Sequence, residues 1–150
     1  MGIVKSAGLV IVQDKKILLL HPTNAAWQGT YSIPKGEIED FETPLDAAIR
    51  ETREEIGIEI KPEWVEKQEP GVVLYKNKRG KTYKKVFWYV VDLDKVNITV
   101  GDKIPKENLQ VQEVDWAGFL SLAEAKEKIF WRFLDILTTL DFYFKIREKI

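Results

Sequence analysis

Three glutamates, Glu51, Glu54 and Glu55, stand at i, i+3 and i+4 in a stretch that reads as helix. At about 100° per residue they share one face. Like charges at this spacing repel by about a few tenths of a kcal/mol per pair on an isolated helix. A divalent cation turns that repulsion into binding. More acids stand around them, at Glu37, Glu39, Asp40, Glu42, Asp46 and Glu59, offset only by Arg50 and Arg53. Arg50, four residues before Glu54, is placed to hold that carboxylate. A solvated acidic face accounts for the spacing equally well, and spacing alone does not decide between the two.

Composition limits the alternatives. The 150 residues fit one domain, with 45% hydrophobic and 31% charged residues and a net charge of −1. No charge bias points to nucleic acid or a membrane surface. There is no cysteine and a single histidine, His21, which excludes disulfides, thiolate sites and multi-histidine zinc. A metal site here is built from oxygen, which suits Mg2+, with Mn2+ as a substitute. The cysteine-free composition and the absence of a signal-peptide pattern or an apolar run of about 20 residues lead us to expect a cytoplasmic protein without a membrane span.

The glutamates need a rigid carrier. Thr43 is an N-cap, Pro44 takes the first helical position, and Asp46 lies where a capping box wants an acid. The helix should end at Gly57, free to adopt a left-handed cap. Leu45, Ala48, Ile49, Thr52 and Ile56 form an adjacent apolar face that would dock it. Before it, Ile3–Gln13 and Ile17–His21 read as a hairpin around Asp14-Lys15-Lys16, Tyr31-Ser32-Ile33 as a short strand, and Lys35–Phe41 as loop. After it come strands at Gly71–Asn77, Thr82–Leu93 and Leu109–Trp116. A short helix capped by Ser121 and Glu124 follows, then a helix over about 130–150 with an apolar stripe at Phe130, Phe133, Leu134, Leu137, Leu140 and Phe144. This order predicts an α/β (α+β) fold with a mixed sheet.

Gly36 is followed after five residues by Glu42, and after seven more by Arg50-Glu51-Thr52-Arg53-Glu54-Glu55-Ile56-Gly57-Ile58. The pattern resembles the Nudix box, with every glycine and charged position matched. Thr52 stands where the box has an aliphatic residue. The likeness extends over about residues 3–137 and implies a Nudix-type α/β/α sandwich filling the 1–150 domain. It implies that Glu54 and Glu55 bind metal, that Glu51 is a ligand or the base, and that the carbonyl of Lys35 completes the metal shell. Gly36, Glu42 and Arg50 would be supporting residues. Some members of the family take the base from outside the box, for which Glu113 is the candidate and Asp115 the alternative.

The resemblance implies a Mg2+-dependent pyrophosphohydrolase using activated water. The Ser32-Ile33-Pro34-Lys35-Gly36 approach leans towards dinucleoside polyphosphates, with nucleoside triphosphates next. The rival is an inactive module binding a nucleotide or RNA, which would be expected to have lost a helix glutamate; here none is missing. Candidate substrate contacts are Lys35, His21, and the alternating Lys81, Tyr83 and Lys85, expected on one strand face. Tyr31, Tyr75, Phe87 and Trp88 could stack on a base, but each taken singly reads better as core. The expected partner is a small phosphorylated molecule, and the protein a monomer or homodimer.

Overall fold

The structure, a computed structural model, describes residues 2–148. Met1, Lys149 and Ile150, at the ends of the expected domain and tail helix, lie outside the described residues.

Strand β1 (Val4–Gln13) and strand β2 (Lys16–Pro22) are rich in aliphatic residues and pair antiparallel as the expected hairpin. Its turn residues Asp14 and Lys15 both have positive φ, 51° and 59°, the twist a two-residue hairpin loop favours. Away from the turn the two strands part, and the Tyr31–Glu37 segment is wedged between them. Ser32 exchanges backbone hydrogen bonds with Leu20 of β2, at 2.8 and 3.0 Å. Strand β3 (Lys35–Glu37) pairs with β1, setting Lys35 opposite Gly8 and Gly36 opposite Ala7. The Lys35–Phe41 region is thus not all loop: its first three residues are clamped into the sheet.

Strands β4 (Gly71–Lys76), β5 (Thr82–Asp92) and β6 (Val114–Ser121) complete a mixed sheet of order β4-β5-β1-β2-β6, in which β1 and β5 run parallel. Strand β6 begins and ends later than the expected Leu109–Trp116. Leu109 is buried in the loop before the strand, and Gly118, a residue that weakens a strand reading, pairs within β6 against Leu19.

Helix α1 (Pro44–Ile56) covers one sheet face. The Thr43 hydroxyl accepts from the Asp46 N–H at 3.1 Å, and Gly57, at φ 71°, closes the helix by donating to the Arg53 carbonyl at 2.9 Å. Ala47, Ala48, Ile49, Thr52 and Ile56 are buried, and the apolar ones pack against Ala7, Leu9 and Ile11. Thr52 keeps its place in this core because its hydroxyl donates to the Ala48 carbonyl at 2.8 Å, satisfying the polar group within the helix.

Helices α2 (Leu122–Lys128) and α3 (Leu134–Glu148) cover the other face. Ser121 and Glu124 form a reciprocal capping box. Ile136, Leu137, Leu140 and Phe144 bury against Val10, Val12, Ile17 and Leu19. Phe130 precedes a single 3-10 turn, Trp131–Phe133, rather than opening the long helix. The layers are α/β/α, as expected. Among the described residues no helix is long and apolar enough to cross a membrane.

Candidate active site

The wedged segment decides where the chemistry sits. It brings Lys35 and Gly36 to one end of the sheet, between β1 and β2, and α1 lies against it. The Lys35 backbone N–H donates to Glu55 Oε1 at 2.8 Å. Gly36 leaves room for the Glu51 carboxylate, which a Cβ at that position would overlap. Two of the three helix glutamates are therefore drawn onto the β3 backbone.

Arg50 organises the rest. Its Nε and Nη2 donate to the two oxygens of Glu42 at 2.6 and 3.0 Å, and Nη2 also reaches the Glu37 carbonyl at 3.0 Å. Its Nη1 donates to Glu51 at 2.9 Å and Glu54 at 3.2 Å. The fork holds the loop before α1 to the helix, a geometry lysine cannot copy. The hydrogen bonds Arg50 donates to Glu42, then the one to Glu51, hold the guanidinium proton above its usual range. The Arg50 bond in turn lowers Glu42.

Glu55 is buried, and burial pushes its carboxyl up to about 8, against the pull of the Lys35 N–H and with Glu51 and Glu113 adding to the rise. Glu51 is raised too, first by burial, against Arg50, with Glu54 and Glu113 contributing. Glu54 is nearly half exposed and turned towards Arg50. Among the described residues these acids do not converge into a ready-made ion cage, because Arg50 stands between Glu51 and Glu54. The donor set nonetheless fits a hard cation: it is all oxygen, and the buried Glu55 carboxylate accepts only the Lys35 N–H among the described residues.

Glu113 lies in the turn entering β6, exposed, near enough to raise both Glu51 and Glu55. Its side chain has no hydrogen bond or ion pair among the described residues. Asp115 differs: its Oδ1 lies 2.6 Å from His21 Nδ1. His21 is 1% exposed, and its Nε2 faces the carbonyls of Ala25 and Ala26 at 3.1 and 3.0 Å. With both ring nitrogens engaged, His21 has none free for the phosphate contact expected from the sequence.

The three residues Lys81, Tyr83 and Lys85 do not share a face. A bulge pairs Tyr75 with Lys84 and Lys76 with Thr82, which leaves Tyr83 out of the alternation. Tyr83 packs edge-on against Tyr75, ring centroids 6.1 Å apart, on the α3 side. Lys85 points with Phe87 to the α1 side, and Lys81 precedes the strand. The strand lysine whose charge is felt at Lys35 is Lys84, whose Nζ lies 5.2 Å from the Tyr75 ring. Burial lowers the pKa of Lys35, and nearby Lys84 lowers it further. Arg132 joins them, 4.7 Å from the Tyr75 ring centroid. Nothing in the sequence pattern marks Arg132, since the 3-10 turn that delivers it reads as the start of the helix.

The NUDIX domain family matches residues 3–137. This chain belongs to the Nudix family. The ADP-ribose pyrophosphatase of Methanocaldococcus jannaschii is 39% identical over 49 residues, 33% of this chain. The match spans only 29% of that protein's own length. A crystal structure of a C. elegans Ap4A hydrolase binary complex aligns over 99% of this Nudix domain and 100% of that chain, at a TM-score of 0.69 and 26% identity. The MutT protein of Methanosarcina mazei Go1 aligns over 96% of each chain at a TM-score of 0.65 and 21% identity, a likeness of fold alone.

Proposed function

We propose that this Nudix domain is a Mg2+-dependent pyrophosphohydrolase, with Mn2+ as a substitute. Its substrate would be a dinucleoside polyphosphate or, next, a nucleoside triphosphate. The observation that carries the reading is the meeting of two carboxylates that burial raises, Glu51 and Glu55, with Lys35 at the Gly36 backbone. Glu51, Glu54, Glu55 and the Lys35 carbonyl would hold the ion. Bound there, Mg2+ would offset phosphate charge and acidify a coordinated water.

The chain's own groups supply the remainder. Lys35, Lys84 and Arg132 offer positive charge for a polyphosphate on the β4/β5 side, and Tyr83, nearly half exposed, offers an aromatic surface beside them. Two bases compete for the water proton, Glu51 and Glu113. Asp115 is the weaker alternative because His21 already holds it. The full mutual coverage with a solved Ap4A hydrolase supports the dinucleoside reading.

The test is product release with Mg2+ from diadenosine tetraphosphate, ATP, ADP-ribose and a diphosphoinositol phosphate. The reading expects diadenosine tetraphosphate to have the highest kcat/KM and Glu54→Gln to lower turnover by about 100-fold or more without unfolding the domain. Unchanged turnover in Glu54→Gln overturns the metal assignment. Absence of hydrolysis of all four, with nucleotide still bound, favours the inactive module.

A further inference from the structure

Trp27 lies in the loop joining β2 to the wedged segment. Its indole stacks flat on the His21 imidazole, with centroids 3.8 Å apart and planes 1° from parallel. The loop is fixed from below. His21 Nε2 faces the carbonyls of Ala25 and Ala26, the two residues before Trp27, and the Thr30 hydroxyl donates to the Ala26 carbonyl. The Thr23 N–H donates to the Glu113 carbonyl at 3.0 Å, and its hydroxyl to the Val111 carbonyl at 2.8 Å. Yet Trp27 itself stays 57% exposed. A tryptophan kept for packing buries its ring. Here buried His21, held by the half-buried Asp115, presents one, with one face covered.

The position matters as much as the exposure. Trp27 stacks on His21 of β2, and its loop is tied to the start of β6 where the Thr23 N–H meets the Glu113 carbonyl. Tyr75, Tyr83, Lys84 and Arg132 stand at the β4 and β5 ends. In the sheet order β3, which carries Lys35 and receives Glu55, lies between β1 and β2, and so between the two groups. Aromatic surfaces on both sides of a phosphate-binding centre match a substrate with a base at each end.

We propose that the outer face of Trp27 is a nucleobase-stacking site for the second nucleoside of a two-ended polyphosphate substrate. The proposal rests on the pyrophosphohydrolase reading above. Because the ring is already held in place, little order is lost on binding. Stacking a base on such a ring accounts for about a tenfold effect on affinity.

Two measurements on the full chain test it. In the first, without turnover, adenosine monophosphate is titrated and the indole N–H resonance of Trp27 is followed by NMR, the signal being assigned by its loss in Trp27→Phe. The resonance should shift with adenosine monophosphate and stay still with ribose 5-phosphate. In the second, Trp27→Ala should raise KM for diadenosine tetraphosphate about ten times more than KM for ATP, with kcat changed little, and Trp27→Phe should restore most of the loss. An equal rise for both substrates, or none, overturns the stacking site while leaving the hydrolase reading intact. If the wild-type chain hydrolyses neither substrate, the hydrolase reading fails instead. The NMR shift then decides the stacking site alone, and its absence overturns it.

Discussion

The Glu51 carboxylate occupies the space that the missing side chain of Gly36 leaves open. The overlap a Cβ would cause is with the far end of a flexible side chain, so Glu51 would yield rather than the β3 backbone. Gly36→Ala is therefore expected to fold normally, by circular dichroism, and to lose about 100-fold in kcat, the scale of an ångström-sized misplacement. Turnover within twofold of wild type would show that the placement of Glu51 does not matter.

Arg50 ties Glu42, Glu51 and Glu54 together through one guanidinium. Lysine keeps the charge but loses the fork. The pairs are partly exposed, so Arg50→Lys should cost about 1–3 kcal/mol in urea unfolding, less than a fully buried pair would. Mg2+ should return part of that loss by giving Glu51 and Glu54 another cation. An equal Mg2+ increment in wild type and variant would contradict this account.

Glu55 carries a pH signature. Its folded pKa, about 8, lies above the ordinary 4.5, so the folded chain binds this proton more tightly than the unfolded one. That contribution is complete below about pH 4.5 and is lost as pH rises towards about 8; the raised pKa of Glu51 acts in the same direction. In chelator, Tm should fall across this window. Glu55→Gln should flatten the profile, melt above wild type near the top of the window, and gain little from Mg2+. A lower Tm for the variant at that pH would refute the desolvation argument.

How much of this was legible in the sequence follows from how local each signal is. Helix α1 was legible because Thr43, Pro44 and Gly57 act on their own neighbours, and the box spacing lies within one segment. The β3 pairing was not, because Lys35-Gly36-Glu37 becomes a strand only where β1 and β2 part. Lys84 is hidden from the sequence pattern because alternation counted from Lys81 fails at a bulge set by the partner strand β4. The partner that takes His21 out of the candidate substrate contacts, Asp115, lies 94 residues away, where no local spacing reveals it.

The tail helix has a separate role that Tyr143 exposes. Its hydroxyl reaches Glu66 at 2.6 Å and Asp92 at 2.7 Å, and Arg147 pairs with the same Asp92. Asp92 is 1% exposed, at the end of β5, so these contacts fasten α3 to the sheet and keep a buried carboxylate solvated by protein. Burial, then the two acids, hold the Tyr143 hydroxyl above its usual range, which keeps it a donor. Tyr143→Phe removes the donor and leaves both carboxylates in place. It should cost about 1–3 kcal/mol in urea unfolding, the penalty for orphaned acceptors. Lys95, 3.0 Å from Glu66, and Arg147 should keep the loss towards the lower end. Because the network lies away from Lys35 and the glutamates, kcat and KM should stay within twofold. A variant that unfolds no more easily yet turns over more slowly would instead connect α3 to the chemistry.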